Sequence, residues 1–462
     1  MSKKNDYRSY FKGKKITVMG LGLLGGALND IHFLYKHGAS LLVTDLKSST
    51  ELRPSLQKLQ KYKNIEYVLE EHRLEDFKNA DMVLQPGNVP EDSPYLAEAK
   101  KNNIPIFVSE SLFAYCASDV FLIGITGTRG KSTVTELIYH ILKSDRPRVF
   151  LGGNVKNVST LNLLDKARPR DTVVLEMDSW ALHGMGNIKK SPQVSIFTNF
   201  LDDHLNYYKG DRNKYFEDKA NIFKYQNKDN VLIIGKQVVP FLEKLGGKIR
   251  VKPIVAPEKI NGFSSNLLGS HNEYNVALAI TAARILGVKD SVIRKAVKSF
   301  KGIEGRLELV REIRGVKYYN DTTATTPDAT IAALKALGEL RGKSYEPGRK
   351  VSNNQGRTLI GQRKTILIMG GTDKGLDMNV LIKEIPKYCK ILILLKGNGT
   401  DRLTKSYELG AMSYEVDSLK KAIKVARHGD IVLLSPAFAS FGMFRNEFHR
   451  GDEFVKLVKK LK

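Results

Sequence analysis

A ten-residue stretch, GITGTRGKST, combines glycines, a lysine and hydroxyl side chains at a spacing that suits phosphate chemistry. A glycine-containing turn between a strand and a helix points backbone N–H groups at whatever lies above the helix N-terminus, and this geometry binds phosphate. Gly127 and Gly130 let the backbone approach closely, and Lys131 supplies a cation. Ser132 or Thr133 can offer a hydroxyl to a phosphate-bound Mg²⁺. The stretch therefore predicts a nucleotide phosphate loop.

The spacing of this loop departs from the common P-loop pattern, in which four residues separate the first glycine from the Gly-Lys pair. Gly124 lies one residue too far back, and Ile125 stands where the first glycine would be. The missing glycine shortens the loop without removing any of the parts that would bind phosphate. We interpret the stretch as a phosphate loop of a variant kind, with a chance match to the pattern as the alternative.

An acid and a histidine each lie at the end of a strand-like run. Glu176 closes VVLE, and His204 follows QVSIFTNF. In an open parallel sheet the carboxyl ends of the strands line one crevice, so both side chains would lie beside the phosphate loop. A carboxylate and an imidazole there can bind Mg²⁺, which prefers oxygen ligands. The alternative is that Glu176 caps a helix and that His204 belongs to a surface loop.

A lysine lies on the apolar face of a predicted helix in the segment DRNKYFEDKANIF. Lys219 comes three residues after Phe216 and four before Phe223, which places all three on one helical face. Lysine is rare in such a position unless it is paired. Either its side chain reaches solvent along the apolar surface, or it is held near bound metal or phosphate.

Three further strand ends, in the last third of the chain, carry an acid, a lysine and a hydroxyl. Asp321 follows VKYYN, Lys374 follows TILIMGG, and Ser435 ends IVLLS. They suggest a second rim that faces a common cleft, although each taken singly is more often structural. Asn275 lies in the first turn of an alanine-rich helix that opens with a predicted capping box, SHNE. Its amide can hydrogen-bond a base or a phosphate, or it takes part in ordinary capping.

The first strand-like run ends in GLGLLG, and Asp45 ends the next run, ASLLVTD. Glycines at this spacing, followed about 20 residues later by an acid, are typical of a dinucleotide-binding turn. The pattern predicts a site for a nucleotide diphosphate but does not distinguish NAD from a UDP-type ligand. A nicotinamide-dependent dehydrogenase is therefore an alternative, although it leaves GTRGKST, Lys219 and Ser435 without roles.

The chain of 462 residues has a formal net charge of +25 and two cysteines. Its lysines are scattered among acids, so we interpret the charge as a solvated basic surface that attracts nucleotides and not as a nucleic-acid interface. The cysteines form neither a disulfide framework nor a metal-binding spacing, which predicts a reducing, cytoplasmic compartment. The run FKGKKITVMGLGLLGGAL imitates a secretion signal but is better interpreted as a strand entering a glycine turn. No stretch has the ~18 apolar residues of a membrane helix.

Strand-like runs alternate with amphipathic helical stretches from end to end, and many of the runs end in turn residues. This alternation is typical of an α/β fold with parallel sheets covered by helices. We predict three domains, at residues 1–115, 116–302 and 303–462. The polar residues 342–364 are predicted to form a mobile surface loop within the third.

Together these motifs resemble the Mur ligase family over nearly the whole chain. The family's phosphate loop, GTxGKS/T, has the shorter spacing found in GTRGKST. The resemblance implies a Rossmann-like first domain that binds a UDP-muramoyl precursor, a central P-loop-type ATPase domain with a parallel sheet, and a Rossmann-like last domain that binds an amino acid. It also implies ATP and two Mg²⁺ ions as cofactors and small-molecule substrates. A monomer without nucleic acid or membrane insertion is expected.

The resemblance also implies roles residue by residue. The catalytic positions match Lys131, Glu176, His204 and Lys219. The metal-binding positions match Ser132, Glu176, His204 and Lys219, the last as a carbamate. The ATP-binding positions match Gly127, Thr128, Gly130, Lys131, Ser132, Thr133, Asn275, Arg306 and Asp321. The UDP-substrate positions match Gly22, Leu23, Thr44, Asp45 and Asn154. Carbamylation would turn a misplaced cation into an anion that can bind Mg²⁺.

Within the family, GGTDK and LLSPAFASF are most similar to members that add D-glutamate. The amino-acid contacts implied are Thr323, Lys374, Ser435 and Phe441. Family members usually read NDSKAT where this chain reads NDTTAT, so Thr323 replaces a lysine that helps to bind the amino acid. The resemblance implies an ATP-dependent ligase of peptidoglycan precursor synthesis that adds D-glutamate to UDP-N-acetylmuramoyl-L-alanine through an acyl phosphate. A family ligase with another amino acid or acceptor is the alternative.

Overall fold

The computed structural model describes most of the chain, and the structural statements below concern the described residues alone. These residues are 7–23, 25–87, 89–90, 92–117, 119–156, 158–204, 207–245, 249–339, 350–352, 358–360, 365–406, 413–416, 419–423, 430–440 and 443–461. They divide into two compact units, Met1–Ser264 with Tyr274–Ser299, and Ser265–Glu273 with Phe300–Lys462. The residue boundaries of the three predicted domains stay predictions.

The first sheet lies in the first unit and is wholly parallel. Its strands are β1 (Lys15–Met19), β2 (Ser40–Asp45), β3 (Ile65–Leu69), β4 (Met82–Leu84) and β5 (Ile106–Phe107). They are arranged in the order β3-β2-β1-β4-β5. The neighbouring helices are α1 (Tyr7–Phe11), α2 (Gly26–Lys36), α3 (Ser49–Leu59), α4 (Leu74–Lys78), α5 (Pro94–Lys101) and α6 (Ser109–Cys116). Ile16 and Val18 of the central strand are buried, as a sheet covered on both faces requires.

The second sheet, also in the first unit and wholly parallel, carries the predicted phosphate loop. Its strands are β6 (Phe121–Thr126), β7 (Val149–Gly153), β8 (Thr172–Glu176), β9 (Val194–Phe197), β10 (Val231–Ile234) and β11 (Pro253–Val255). The order β11-β10-β9-β6-β8-β7 places β6 between β8 and β9. The loop that follows β6 is therefore flanked by the carboxyl ends of the strands that lead to Glu176 and His204.

The helices that accompany the second sheet include α7, which starts at the phosphate loop. They are α7 (Lys131–Asp145), α8 (Ser179–Asn187), α9 (Arg212–Lys224), α10 (Val239–Glu243), α11 (Ser270–Ile285) and α12 (Asp290–Ser299), with short 3₁₀ helices at Leu161–Asp165 and Lys236–Val238. The apolar stripe of α7 is buried as its 3.6-residue spacing predicts. None of the described helices is both long enough and apolar enough to cross a bilayer.

The third large sheet lies in the second unit and is mixed. Its strands are β12 (Glu308–Ile313), β13 (Val316–Asn320), β16 (Thr365–Gly370), β17 (Cys389–Leu395), β18 (Ser413–Val416) and β19 (Ile431–Leu434). The order is β12-β13-β19-β16-β17-β18, and only the β12–β13 pair is antiparallel. Arg314 and Gly315 join this pair, and both have positive φ, as a tight two-residue hairpin needs.

The remaining elements of the second unit cover this sheet or lie apart from it. The helices are α13 (Pro327–Glu339), α14 (Asn379–Tyr388), α15 (Asn398–Ser406), α16 (Leu419–Ile423) and α17 (Glu447–Lys459). Within residues 342–364, predicted as a loop, β14 (Lys350–Ser352) and β15 (Thr358–Ile360) form an antiparallel pair. The other residues of that segment lie outside the described residues. The predicted α/β class is confirmed, with one antiparallel edge on the third sheet.

Candidate active site

The phosphate loop needs both of its glycines because other parts of the first unit lie against them. Gly127 has a φ of 146°, and a Cβ atom there would overlap the Thr198 hydroxyl. Gly130 has a φ of 83°, and a Cβ atom there would overlap the side-chain oxygen of Asn275. Helix α7 begins directly afterwards at Lys131. The strand–loop–helix arrangement predicted from GTRGKST is therefore present.

The segment after β9 holds the loop in shape. The backbone N–H of Thr128 donates to the Asn199 carbonyl at 2.9 Å, and that of Arg129 donates to Asn199 Oδ1 at 2.8 Å. The buried Thr128 hydroxyl donates to the Leu201 carbonyl and accepts from the Leu201 N–H. Thr128 therefore shapes the loop from within. The first turn of α7 carries N–H groups that have no partner inside a helix, and these can face an anion.

Two lysines converge on one carbonyl of the loop. Lys131 Nζ donates to the carbonyl oxygens of Gly127 at 3.0 Å and Thr128 at 3.2 Å. Lys219 Nζ, whose side chain is 1% exposed, also donates to Gly127 at 3.0 Å. Burial, with the Lys131 charge second, holds the pKa of Lys219 well below its usual range, although Asp178 and Asp203 oppose the shift. Lys219 is thus placed at the phosphate loop and does not extend to solvent.

Glu176 lies beside the loop at the end of β8. It is 3% exposed and pairs in register with Ile125 of β6 and Gly153 of β7. The N–H of Asn154 donates to the Glu176 carbonyl at 2.9 Å, which fixes the backbone that follows β7. Burial and the nearby Glu176 charge raise the pKa of Glu136 on α7. Glu176 therefore brings negative charge to the loop, on the side opposite β9.

His204 occupies a left-handed turn after β9, with a φ of 53°. Its ring lies 4.7 Å from the Trp180 ring and 6.1 Å from the Tyr215 ring, between centroids. Burial lowers the pKa of His204; Lys219 and Lys131 add to this effect, and Asp203 opposes it. The imidazole is therefore held in the neutral form that binds metals.

The side chains of Glu176, His204 and Ser132 suit Mg²⁺, but a further anionic ligand is needed beside them. Glu176 supplies a buried carboxylate, His204 a neutral imidazole, and Ser132 a hydroxyl in the first turn of α7. Among the described residues, no group of three or more His, Cys, Asp or Glu side chains is placed to hold a metal ion. Lys219 as a free ammonium would repel the ion, whereas its carbamate would supply the missing oxygens.

Asn275 lies at the end of the loop. It is 5% exposed on α11, and its side-chain oxygen is the nearest atom that a Cβ atom at Gly130 would meet. Helix α11 begins at Ser270 itself, one residue before the start that the predicted capping box implies. Asn275 is thus packed against the phosphate loop, which is where a contact to the nucleotide would be made.

In the second unit, the predicted acid and hydroxyl meet each other. Ser435 Oγ donates to Asp321 Oδ2 at 2.8 Å, and the Leu307 N–H donates to Asp321 Oδ1 at 3.0 Å. Burial raises the pKa of Asp321 to about 7, against the effects of Ser435, Leu307 and Arg306. Arg306 therefore lies near Asp321, and both oxygens of the acid are engaged within the unit.

The other predicted amino-acid contacts are also engaged within the second unit. The Thr323 hydroxyl donates to the Gly305 carbonyl at 2.9 Å, and Lys374 Nζ donates to Thr325 Oγ1 at 2.9 Å. Phe441 lies outside the described residues. Thr323, which stands where family members usually have a lysine, therefore stabilises the turn at Gly305.

In the first sheet, Asp45 holds the glycine turn. Its carboxylate accepts from the N–H groups of Gly22 and Lys47, each at 2.9 Å. The Thr44 hydroxyl donates to the Glu71 carbonyl at 3.0 Å, and Leu23 is 48% exposed at the tip of the turn. Asp45 therefore orders the turn with the two oxygens that a dinucleotide-binding acid offers to a ribose.

Three residues that the sequence analysis did not select surround the His204 turn. Arg129 Nη1 pairs with Asp203 Oδ2 at 2.7 Å, and the Trp180 ring contacts the His204 ring at an interplanar angle of 58°. Burial opposes ionisation of Asp203, but the Arg129 charge and the hydrogen bonds from Arg129 and the His204 N–H outweigh it and lower the pKa of Asp203 to about 2. A sequence signal existed only for Trp180, the single tryptophan of the chain.

A small cavity near these residues links the first two sheets. Gln85, Gly87 and Tyr207 line it together with Trp180, and its volume is about 20 Å³. Within the described part of the chain, neither Trp180 Nε1 nor Gln85 Oε1 has a hydrogen-bond partner although both are buried. The cavity is large enough for one water molecule, which could accept from the indole and donate to the amide.

The fold is similar to that of solved Mur ligases. The chain aligns with the UDP-N-acetylmuramate-alanine ligase MurC of Thermotoga maritima at a TM-score of 0.61 and 19% identity, covering 97% of this chain and 100% of that one. It aligns with the MurF ligase of Thermotoga maritima, solved in complex with ADP, at a TM-score of 0.56 and 16% identity, covering 98% and 96%. The predicted α/β class, with two parallel sheets and a third, mixed sheet, is confirmed, and the similarity is consistent with three domains.

Sequence comparisons give the family. Residues 125–245 match the Mur ligase middle domain, and residues 14–108 match the Mur ligase MurD-like N-terminal domain. The glycine turn after β1 therefore belongs to this family and not to a dehydrogenase. The chain is 38% identical to the UDP-N-acetylmuramoylalanine–D-glutamate ligase of Borreliella afzelii, over 97% of this chain and 98% of that protein. With similarity of this extent in sequence, and with the loop, Glu176, His204 and Lys219 gathered at one sheet edge, the chain belongs to the Mur ligase family.

Proposed function

We propose that this chain is an ATP-dependent ligase that adds D-glutamate to UDP-N-acetylmuramoyl-L-alanine in the synthesis of peptidoglycan precursors. The observation that carries the proposal is the near-full-length similarity to the ligase of Borreliella afzelii. The phosphate loop supports it, because Lys131 and the first turn of α7 are suited to the phosphates of ATP.

The reaction takes place in two steps. The carboxylate of the muramoyl substrate attacks the γ-phosphorus of ATP, which forms an acyl phosphate and releases ADP. The neutral amine of D-glutamate then attacks the acyl carbon, and the tetrahedral intermediate collapses to an amide and releases phosphate. Lys131 neutralises charge that develops on the transferred group, so positioning and electrostatics supply most of the rate. Water must be excluded, because it would hydrolyse the acyl phosphate.

Mg²⁺ would be held by Glu176, His204 and the hydroxyl of Ser132. When bound, the metal supplies positive charge to the β- and γ-phosphate oxygens. The neutral imidazole of His204 and the buried carboxylate of Glu176 support this assignment. Two ions, the monomeric state and the cytoplasmic location stay predictions.

We assign Lys219 the role of a carbamate. Its low pKa favours the neutral amine, whose nitrogen can attack the carbon of CO₂ and lose a proton to give the anion. The positive charges of Lys131 and Arg129 would stabilise the carbamate anion, whereas they destabilise the ammonium form of Lys219. This chemistry gives a reason for a lysine that is 1% exposed among the aromatic residues of α9.

The substrate contacts remain those of the resemblance. Gly22, Leu23, Thr44, Asp45 and Asn154 would contact the UDP-muramoyl substrate. Asn275, Arg306 and Asp321 would contact ATP. Lys374, Ser435, Thr323 and Phe441 would contact the amino acid. Because the Thr323 hydroxyl is committed to Gly305, a ligase of the same family with a different amino acid is the second candidate.

The test is phosphate release from ATP and Mg²⁺ in the presence of UDP-N-acetylmuramoyl-L-alanine, with D-glutamate, L-glutamate, L-lysine and diaminopimelate compared. Release that depends on D-glutamate is expected. Release that depends on another amino acid would keep the chemistry and favour the second candidate. Absence of release with all four would contradict both.

A further inference from the structure

An ion pair joins the phosphate loop to the turn that carries His204. Arg129 lies at the variable position of GTRGKST, and its Nη1 atom is 2.7 Å from Asp203 Oδ2. The two side chains are 30% and 27% exposed, so the pair is partly shielded from water. Because Arg129 sits between Thr128 and Gly130, any displacement of its side chain acts on the loop backbone directly.

The turn at His204 is one that needs external support. A left-handed φ of 53° is unfavourable for a histidine, because its Cβ atom lies too close to the backbone carbonyl oxygen in that region. Asp203 contributes support through its other oxygen, since Oδ1 accepts from the His204 N–H at 2.9 Å. The N–H groups of Tyr207 and Tyr208 donate to the His204 carbonyl. One carboxylate, that of Asp203, therefore contacts both the loop arginine and the histidine backbone.

The pair also balances charge at the site. Lys131 places a cation at the Gly127 carbonyl, beside the amine of Lys219, and Arg129 adds a further cation on the same loop. Asp203 is the acid that contacts the Arg129 guanidinium directly. An arginine at this position thus has a dedicated partner on the neighbouring segment, and neither residue is part of the metal or phosphate set described above.

We propose that Arg129 is a positioning residue, which through its ion pair with Asp203 fixes the His204 turn against the phosphate loop and so couples nucleotide binding to the placement of His204. Only the kinetic test of this proposal, which measures turnover, rests on the proposed function. The tests that measure ADP binding and unfolding need no acceptor amino acid.

Trp180 provides the readout. It is the single tryptophan of the chain, and its ring lies 4.7 Å from that of His204. Its emission therefore reports the His204 turn without any label. Titration of the unaltered protein with ADP and Mg²⁺ is expected to change this emission. An unchanged emission on saturation with ADP, verified by calorimetry, would overturn the coupling.

The variants are Arg129→Gln, Arg129→Lys, Asp203→Asn and the double variant. Arg129→Gln is expected to weaken ADP binding about fivefold and to remove most of the emission change, as a partly exposed pair allows. Arg129→Lys should restore part of both, since it keeps the charge. The double variant should be no weaker than Asp203→Asn alone. Additive losses would overturn the proposal.

A matched control is Arg284→Gln, which breaks a two-pronged pair with Asp290 in the same unit, remote in sequence from the loop. It should leave the emission change and kcat unaltered. In the kinetic arm, Arg129→Gln should lower kcat, and not only raise the KM for ATP. Absence of turnover by the unaltered protein would contradict the proposed function alone. The Trp180 emission change and a double-variant cycle of Arg129 and Asp203, measured by urea unfolding, would still test the role of Arg129.

Discussion

The phosphate loop of the first unit and the strand-end cluster of the second unit use buried polar groups in different ways. At the loop, Lys131 and the buried Lys219 both donate to the Gly127 carbonyl, and burial, with the Lys131 charge second, lowers the pKa of Lys219. In the second unit, Asp321 and Ser435 hydrogen-bond each other, and Thr323 binds Gly305. The loop therefore stores an electrostatic imbalance that an anion would relieve, whereas the strand-end cluster is balanced internally. A buried group whose pKa is strongly shifted indicates a ligand more strongly than a satisfied hydrogen bond does.

The largest effect is expected from Lys131→Ala. The variant removes the cation at the loop, and phosphate release should fall about 10³-fold because charge on the transferred phosphoryl group is no longer neutralised. Steady-state release of phosphate measures the loss. Lys143→Ala, on an exposed turn of the same helix, is the control and should behave like the unaltered protein. Equal activity of both variants would remove the loop from the active site.

Lys219→Ala should lower turnover about 10²-fold, as expected when a group that orients a metal is lost. Lys219→Arg should fail equally, because arginine does not form a carbamate. Turnover of the unaltered protein should also fall when CO₂ and bicarbonate are removed. The control is Lys214→Ala, an exposed position on the same helix. Near-normal turnover by Lys219→Ala would rule out the carbamate.

Gly130→Ala tests whether the close approach at the loop matters beyond backbone strain. Gly130 and Gly210 have nearly equal φ values, 83° and 82°, but only Gly130 has a neighbouring atom, Asn275 Oδ1, where a Cβ atom would lie. Gly130→Ala should cost about 3 kcal/mol of unfolding free energy, and Gly210→Ala about 1 kcal/mol. Urea unfolding measures both. Equal costs would mean that Asn275 gives way without effect.

The smallest effect concerns the pH dependence of stability in the second unit. Burial raises the pKa of Asp321 to about 7, so between about pH 4 and 7 the folded state binds more protons than the unfolded state. Stability should therefore fall as the pH rises through this window and level off above it. Asp321→Asn should flatten the slope in urea unfolding from pH 4.5 to 8. A slope unchanged by the substitution would place its origin elsewhere.

The strands and the loop that surround the phosphate-binding region of the first unit could be predicted from sequence, because each has a local signal. Alternation of apolar runs and turn residues identified β6, β8 and β9, and glycine spacing identified the loop. Helical spacing alone placed Lys219 on the apolar face but left open whether its side chain reaches solvent, and the structure shows it to be 1% exposed. The parallel order of the strands then brings their carboxyl ends together.

Other features depend on contacts between distant residues and had no local signal. The Arg129–Asp203 pair joins positions on different strand ends, and each residue alone is an ordinary loop charge. Asp45 fits a ribose-binding pattern, and its oxygens also accept from the Gly22 and Lys47 N–H groups, which the pattern does not predict. The β12–β13 hairpin turns at Arg314 and Gly315, although arginine is not a residue that favours positive φ. Side-chain partners of this kind are set by the tertiary fold.

The first unit is built from two separate segments of the chain, and this has a consequence for its folding during synthesis on the ribosome. That unit includes Tyr274–Ser299 as well as Met1–Ser264, and His140 of α7 is 2.9 Å from Ser299 Oγ at the end of α12. Asn275, which completes the wall of the phosphate loop at Gly130, also comes from this late segment. A nascent chain therefore has both parallel sheets of the unit before it has a finished nucleotide site. Nucleotide binding during translation is therefore expected only after the segment that carries Asn275 has left the exit tunnel.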